Sequence, residues 1–405
     1  MSNRHILAVV MMASFLTPFS GSALILSLPG MGREFQVGAE TLSWVIEIYL
    51  ITSLAFLLPM GRAADRWGKV LVFELGNFLF MLFSFLPVLF DSFALLLLAR
   101  GLQGLGSSMI FATSTSILAD AYPGKNRGKA MGWMVSVVYA GLSFGPVIGG
   151  FMNDGLGWRS LFWFMAFYAG LVLLVALRGL GPKGHQPRAP QGAMPKISLR
   201  LFTENREFSL SCLTAMLNYS ATFAISFLLS LYLQSVLGIS AKMTGFILLT
   251  QPVIMMVLSP LTGALSDHKP ASLLCSIGMG LITLGLLVLA VLVGNQALWP
   301  VIPSIMGIGV GFAFFAAPNN NAIMSSLPRE YYNMASSLLS TMRMSGQVLS
   351  MALVTVILSL NWPELSPGEL LTRNIVISFG FFSVLCFAGV IPSLLRGKSS
   401  KGLYR

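Results

Sequence analysis

Two ionisable residues lie in stretches of sequence that are otherwise apolar: Glu47 in LSWVIEIYLIT and Arg100 in LLLLARGLQGLG. An ionisable side chain inside a lipid bilayer costs at least about 2.5 kcal/mol, so its presence there indicates a function. No lysine or arginine is close to Glu47 in sequence, and burial therefore favours the neutral form of its carboxyl group. Such a group can bind and release a proton near neutral pH. The alternative is a structural glutamate that hydrogen-bonds to a neighbouring helix.

Arg100 is the second candidate for proton coupling. Gln103 and Gly104 follow it at three and four residues and therefore share its helix face. Counted from the outer ends of their predicted helices, Glu47 lies about 9 Å deep and Arg100 about 12 Å deep, at 1.5 Å per residue. We therefore predict that the two side chains couple electrostatically and exchange partners during a functional cycle. The alternative is a static bond of Arg100 to backbone carbonyls.

A stripe of small residues follows in YAGLSFGPVIGG, where Gly141, Gly145 and Gly149 recur at every fourth position. Such a stripe lets another helix approach closely. Pro146 removes a backbone donor within it and bends or stiffens the helix. We predict that the stripe packs against the eighth helix, in the opposite half of the protein, and serves as part of a conformational switch.

These segments belong to an integral membrane protein. Of the 405 residues, 55% are hydrophobic and 10% are charged, and the mean hydropathy is +0.80. Soluble domains carry about 25% charged residues. A span needs about 20 apolar residues, so the chain has room for about a dozen. We predict helices at roughly 6–29, 41–60, 70–89, 93–117, 130–152, 160–178, 208–236, 243–264, 271–293, 298–318, 333–359 and 374–395.

The sequence carries no pattern that indicates an enzyme, a cofactor or a metal site. HExxH and Walker A motifs are absent from it. The three cysteines lie in apolar segments without metal-ligand spacing, and we interpret them as packing residues.

The net charge of +11 is explained by membrane topology rather than by binding to nucleic acid. Nineteen of the 25 lysines and arginines fall in the termini and in alternate loops, whereas four lie on the opposite side and two within helices. Basic residues collect on the cytoplasmic side of membrane proteins. We therefore predict a multi-pass inner-membrane protein with both termini in the cytoplasm. The first apolar run has the length of a span and is expected to be a retained anchor.

The chain contains a weak internal repeat. GRAADRWGK is echoed by GALSDHK at an offset of 202 residues, and Gly141 is echoed by Gly346 at an offset of 205. Near-constant offsets indicate two duplicated six-helix units. We predict an N-terminal bundle over 1–180, a cytoplasmic linker rich in proline, glycine and basic residues over 181–207, and a C-terminal bundle over 208–405.

Three motifs resemble signatures of the major facilitator superfamily: RGLQG in helix 4, GLSFGPVIGG in helix 5 and GRAADRWGK between helices 2 and 3. The resemblance implies two pseudo-symmetric bundles of six helices that work by alternating access. In the third motif, Gly61, Asp65, Arg66 and Gly68 carry the resemblance. The Asp65 carboxylate is predicted to cap a helix N-terminus and to pair with Arg66 or Arg127 in one conformation only. The alternative is an ordinary basic loop.

WVIEIY, SLPGMGREF and GWRSLF are similar to the QacA/EmrB branch of drug:proton antiporters within that family. The resemblance implies that Glu47 is a protonation and cation site, and it matches Arg343 and Asn320 to polar residues of the branch. Two departures stand out. The branch usually has fourteen helices, and its helix-1 aspartate falls here at Ser20.

Further polar residues in the predicted helices are candidates for a substrate cavity, although hydrogen bonds between helices are the alternative. These candidates are Gln103, Asn218, Tyr219, Gln251, Asn320 and Arg343. Glu74, one turn into helix 3, is expected to extend to the membrane surface. We predict a monomeric, proton-coupled exporter of lipophilic or cationic small molecules. The alternatives are an uptake transporter or lipid flippase of the same fold, and a non-transporting receptor.

Overall fold

The computed structural model describes residues 3–122, 126–180, 205–266, 268–295, 298–299, 301–326 and 332–396. The regular structure in these ranges is helical, with short 3-10 and π segments beside the α-helices. The α-helices are α1 (Asn3–Leu24), α2 (Leu28–Phe35), α3 (Ala39–Trp67), α4 (Lys69–Leu89), α5 (Phe93–Ala121), α6 (Asn126–Leu156), α7 (Arg159–Gly179), α8 (Arg206–Thr222), α9 (Ile225–Leu231), α10 (Ala241–Leu265), α11 (Ala271–Leu292), α12 (Val301–Ser325), α13 (Tyr332–Leu358) and α14 (Pro367–Leu395).

Eleven helical stretches in the described residues are long and apolar enough to cross a membrane. The first joins α1 and α2, and the sixth runs from α8 through α9 to Val236. The predicted fifth span forms α6 but is not among the eleven. The multi-pass membrane architecture is therefore present, and the number of twelve stays a prediction.

Several helices extend beyond their predicted ends. The first helix breaks at the 3-10 turn Ile25–Ser27, because Pro29 in the next turn has no backbone N–H to donate. Proline does not end α3 or α12, which continue past Pro59 and Pro318. The start of α14 is fixed by a capping box at Ser366, several residues before the predicted boundary.

The chain packs as two compact units, one formed by Met1–Gly192 with Ser240–Phe246 and the other by Ala193–Ile239 with Ile247–Arg405. In unit 1, α1 packs against α6, and α5 packs against α3 and α4. In unit 2, α8 packs against α13 and α14, and α11 packs against α12 and α14. The predicted linker lies almost entirely outside the described residues.

The two units repeat the same glycine contacts. A Cβ on Gly76 would lie 2.9 Å from the carbonyl oxygen of Gly106, which brings α4 against α5. A Cβ on Gly278 would lie 2.5 Å from the carbonyl oxygen of Gly311, which brings α11 against α12 in the same way. The glycines of the two pairs are separated by 202 and 205 residues, the offsets of the sequence repeat. Close packing at equivalent positions supports a duplicated unit.

Candidate functional site

Arg100 lies in the centre of unit 1, where α5 contacts α3 and α1. Gly104, one turn further along α5, faces α3, and a Cβ there would lie 2.5 Å from the Tyr49 carbonyl oxygen. The missing side chain lets the two helix backbones approach closely. As a result the Arg100 side chain is completely buried.

The Arg100 guanidinium is held by neutral groups. Its Nε donates to the Val45 carbonyl at 3.0 Å, and its Nη1 donates to Ser20 Oγ at 3.0 Å and to Gln103 Oε1 at 2.7 Å. Its Cζ lies 4.2 Å above the ring of Tyr49, a cation–π contact. Nη2 has no hydrogen-bond partner in the described part of the chain. These partners orient the guanidinium without cancelling its charge.

The shared helix face of Arg100 and Gln103 is confirmed by their contact, and Gln103 Nε2 donates onward to Ser84 Oγ at 2.7 Å. Gln103 is completely buried, so in this conformation it belongs to the helix packing and not to the wall of an open cavity.

Glu47 is buried in α3, with 4% of its surface exposed. Arg100 forms the bond to a backbone carbonyl, at Val45, that was the alternative to coupling, and its predicted coupling to Glu47 stays a prediction. Tyr49 faces Arg100, and a residue two positions away on a helix points about 200° round the axis. The arrangement present is the static bond to a backbone carbonyl. Exchange of partners stays a prediction.

In the loop motif GRAADRWGK, the helix cap that was predicted for Asp65 is not formed. Asp65 is exposed in the last turn of α3, and Gly68 begins α4 at φ +100° without a side-chain cap. Among the described residues, Asp65 therefore does not cap the helix that follows it. The ion pair at this end joins Lys69 to Asp120 at 3.0 Å. Gly61 is half-buried and Arg66 is exposed.

The side chain of Arg127 lies outside the described residues. Its predicted pairing with the loop aspartate is therefore untested.

The three glycines of the α6 stripe pack against α1 and not against the predicted eighth helix, whereas Pro146 within the stripe does meet Gly245 at the start of that helix, α10. A Cβ on Gly149 would lie 2.5 Å from the Ala23 carbonyl oxygen, and one on Gly141 would lie 2.6 Å from the Phe15 carbonyl oxygen. Gly145 faces Ser22 in the same row. Positions four apart share a face, and Pro146 and Gly150, one residue further, form the next face.

The cavity candidates of unit 2 divide into buried and partly exposed residues. Tyr219 stacks edge-on to Phe312, with 5.6 Å between ring centroids, and Arg343 Cζ lies 5.0 Å above the Tyr219 ring. Asn218 is completely buried, so it does not line an open cavity in this conformation. Gln251 is half-buried in α10. The structure thus brings Tyr219 and Arg343 together.

The buried asparagine of α12 is Asn319 and not Asn320, which is half-buried. Asn319 Oδ1 accepts from Arg396 Nη1 at 2.9 Å, and the same nitrogen donates to Ser211 Oγ at 3.1 Å. Sequence reasoning missed this network because it counted Arg396 as a cation of the exposed tail. The available signal was its position directly after the apolar run of the last span.

Glu74 is also more buried than expected, with 6% of its surface exposed. The prediction that it extends to the membrane surface was wrong, because α4 packs closely on α5 at this level.

Comparisons with known proteins agree with this architecture. The family model of the Major Facilitator Superfamily matches residues 10–351. The chain is 27% identical to the riboflavin transporter RibZ of Clostridioides difficile (strain 630), over 84% of each chain. It is 25% identical to the multidrug resistance protein Stp of Mycobacterium tuberculosis (strain CDC 1551 / Oshkosh), over 82% of this chain and 72% of Stp.

Among solved structures, a bacterial homologue of the human lysosomal transporter Spinster has a TM-score of 0.77 at 16% sequence identity. The likeness covers 97% of this chain and 96% of that one. At this identity the likeness concerns the fold.

Proposed function

Because the chain belongs to the major facilitator superfamily, and is therefore a membrane transporter rather than an enzyme, we propose that it exports lipophilic or cationic small molecules in exchange for protons by alternating access. The observation that carries the proposal is the burial of Glu47 in α3, the helix that packs on Arg100 of α5. A buried carboxyl inside a span is retained for function. The similarity to Stp favours export of drugs.

In the proposed cycle Glu47 carries the proton. When its carboxyl group is neutral, the span has no negative charge at this depth, and when it is ionised it attracts cations, among them Arg100 and a cationic substrate. The Nη2 of Arg100 is a hydrogen-bond donor that its three bonds to neutral groups do not use. Arg100 can therefore donate to a further acceptor while these three bonds stay in place. The proton and the substrate thus compete for the same charge.

The two halves of the alternating-access model are the predicted bundles 1–180 and 208–405, with both termini in the cytoplasm and one chain as the working unit. Tyr219, Gln251, Asn320 and Arg343 are assigned to the substrate path of the C-terminal bundle, together with Gln103 and Asn218 when the buried packing opens.

Transport into proteoliposomes with an imposed pH gradient tests the proposal. Ethidium serves as a lipophilic cation and riboflavin as a neutral aromatic probe. We expect a gradient to drive accumulation of ethidium against its concentration and an ionophore that collapses the gradient to stop it. Accumulation that is indifferent to the gradient would contradict proton coupling.

A second candidate function is uptake by the same fold, favoured by the similarity to the riboflavin transporter. Uptake coupled to protons predicts that riboflavin moves across the membrane in the same direction as the protons. Export in exchange for protons predicts that the probe moves in the opposite direction to the protons. A lipid flippase would move a fluorescent phospholipid between leaflets, and a receptor would move none of these probes.

Asp65→Asn should slow the interconversion of the two conformations without changing the affinity for substrate. Asp65 lies in the exposed end of α3, far along the helix from Glu47, so its charge acts on the conformation and not on the bound molecule. Initial transport rates over a range of probe concentrations separate the two effects. We expect a lower maximal rate at an unchanged half-saturating concentration, and an equal loss of affinity would refute this role.

A further inference from the structure

The side chain of Asn218 is a buried amide without a hydrogen-bond partner in the described part of the chain. It is completely buried in α8, and neither its Oδ1 nor its Nδ2 is bonded there. The hydroxyl of Thr222, one turn further on, donates to the backbone carbonyl of Asn218 and not to the amide. Burial of an amide without partners costs stability, because its bonds to water are lost and not replaced. Such a group indicates a partner from outside the chain.

Asn218 holds in unit 2 the position that Thr17 holds in unit 1. A Cβ on Gly141 would lie 2.6 Å from the carbonyl oxygen two residues before Thr17. A Cβ on Gly346 would lie 2.6 Å from the carbonyl oxygen two residues before Asn218. The two glycines are separated by 205 residues, which is the offset of the repeat. Thr17 Oγ1 is also buried without a partner in the described residues, so both units carry such a group at this position.

The neighbours of these two residues correspond as well. In unit 1, the Tyr49 hydroxyl donates to the Thr17 carbonyl at 3.3 Å, and the Tyr49 carbonyl oxygen lies 2.5 Å from a Cβ on Gly104. In unit 2, the Gln251 carbonyl oxygen lies 3.0 Å from a Cβ on Gly309. The tyrosine and the glutamine are 202 residues apart, and the two glycines are 205 residues apart. Gln251 therefore takes the place of Tyr49 in the second unit.

The charge of the unit 1 site has no counterpart at the equivalent position of unit 2. Arg100 corresponds, at an offset of 205 residues, to Ile305, which is buried. Unit 2 thus offers the amides of Asn218 and of the half-buried Gln251 where unit 1 offers an arginine and a tyrosine. A site of this composition suits a neutral polar group.

The shape of the amide of Asn218 defines the group that complements it. A primary amide presents a donor and an acceptor side by side on one edge. Its partner must also carry an N–H and a C=O on one edge. Open-chain secondary amides are trans and present these two groups on opposite sides. A ring holds them cis, so the complementary group is the lactam or imide edge of a planar ring.

We propose that Asn218 binds the lactam or imide edge of a planar ring in the transported molecule and thereby selects neutral heterocycles. The inference rests on the proposed function, because it names one class among the proposed substrates. The ring N–H donates to Oδ1, and Nδ2 donates to the adjoining ring carbonyl. The amide is enclosed in the present conformation, so the ring reaches it when the packing around α8 opens.

Two flavins that differ at one edge test this pairing in the purified protein. Riboflavin has an imide edge, whereas 3-methylriboflavin carries a methyl group in place of the imide hydrogen. The change in flavin fluorescence follows binding without a membrane or a pH gradient. We expect the parent to bind riboflavin about tenfold more tightly, because the methylated flavin leaves the acceptor of the buried amide unpaired.

Asn218→Ala removes the amide and leaves room for the added methyl group. This variant should bind the two flavins with equal affinity, close to that of the parent for the methylated one. Equal affinity in the parent, undetectable binding of both flavins, or an unchanged preference in the variant would overturn the assignment. A lack of proton-driven accumulation of ethidium would contradict the proposed function but would not affect this comparison.

Thermal unfolding without ligand tests whether the amide has a partner within the protein. Asn218→Leu replaces the unpaired amide by an apolar side chain of similar size, so the unfolding temperature should rise. Asn319→Leu is the matched control, because the amide of this buried residue bonds at both ends, to Arg396 and to the Ser211 carbonyl. The control should unfold at a lower temperature than the parent. A similar fall for both variants would mean that Asn218 is bonded within the protein, and the proposal would be overturned.

Discussion

Glu47→Gln should abolish uphill transport driven by a pH gradient while leaving the protein folded and in the membrane. Glutamine has the shape of the protonated side chain but cannot release a proton, so the cycle is locked in the proton-loaded state. Glu47 is almost completely buried, and the substitution removes an ionisable group without creating a cavity. The expected result is loss of accumulation of ethidium to the level of protein-free liposomes.

The control for this variant is Glu40→Gln, seven residues earlier in the first turn of the same helix. Two turns separate the residues, so they lie on nearly the same face at different depths. Glu40→Gln should accumulate ethidium normally. Binding of riboflavin should survive in both variants. If Glu47→Gln still drives uphill efflux with an unaltered pH profile, the coupling site lies elsewhere and Glu47 is structural.

Glu74→Gln would have little effect if the carboxylate reached the membrane surface, as predicted from the sequence. Its burial removes that basis. The variant becomes a second measurement of coupling and not a control.

Gly149→Val should prevent stable packing of unit 1, and Gly149→Ala should weaken it. Even the first carbon of a new side chain would lie 2.5 Å from the Ala23 carbonyl oxygen, so the backbone of α1 would have to move. Overpacking of this kind costs typically about 1–3 kcal/mol. Thermal unfolding in detergent should show a lower transition temperature, in the order parent, alanine, valine.

Gly155→Ala is the matched control for the alanine variant, because it adds the same methyl group to the same helix in open space. Alanine is a better helix former than glycine, so this variant should be as stable as the parent or slightly more so. Similar unfolding temperatures for Gly149→Ala and Gly155→Ala would mean that α1 and α6 are not in contact as described.

The spans and the face shared by Arg100 and Gln103 could be predicted because each depends on spacing along one helix. The second and fourth predicted spans, which carry Glu47 and Arg100, are in contact, since α5 packs on α3. The glycine pairs Gly76–Gly106 and Gly278–Gly311 were not predicted, but their separation equals the offsets of the sequence repeat.

The errors arose where a single helix position decides which neighbour a side chain meets. The stripe of α6 faces α1, while Pro146 and Gly150, one position on, face α10. A difference of about 100° round the axis cannot be read from spacing, because both faces carry small residues. On α3 the ring of Tyr49 faces Arg100, and the coupling of Glu47 to Arg100 stays a prediction. Spacing along a helix was predictable, but the direction in which a side chain points was not.

The network around Arg396 has a consequence for biogenesis. Ser211 and Asn319 are synthesised and inserted long before the arginine that bonds to both of them. Until then, the bond from Asn319 Nδ2 to the Ser211 carbonyl joins α8 and α12 at this end, but the second donor that Arg396 supplies is missing. Assembly of this end is therefore completed only when the last helix enters the membrane. A chain shortened to end at Leu395 should insert its spans and yet be recognised by quality-control proteases, whereas one ending at Arg396 should persist.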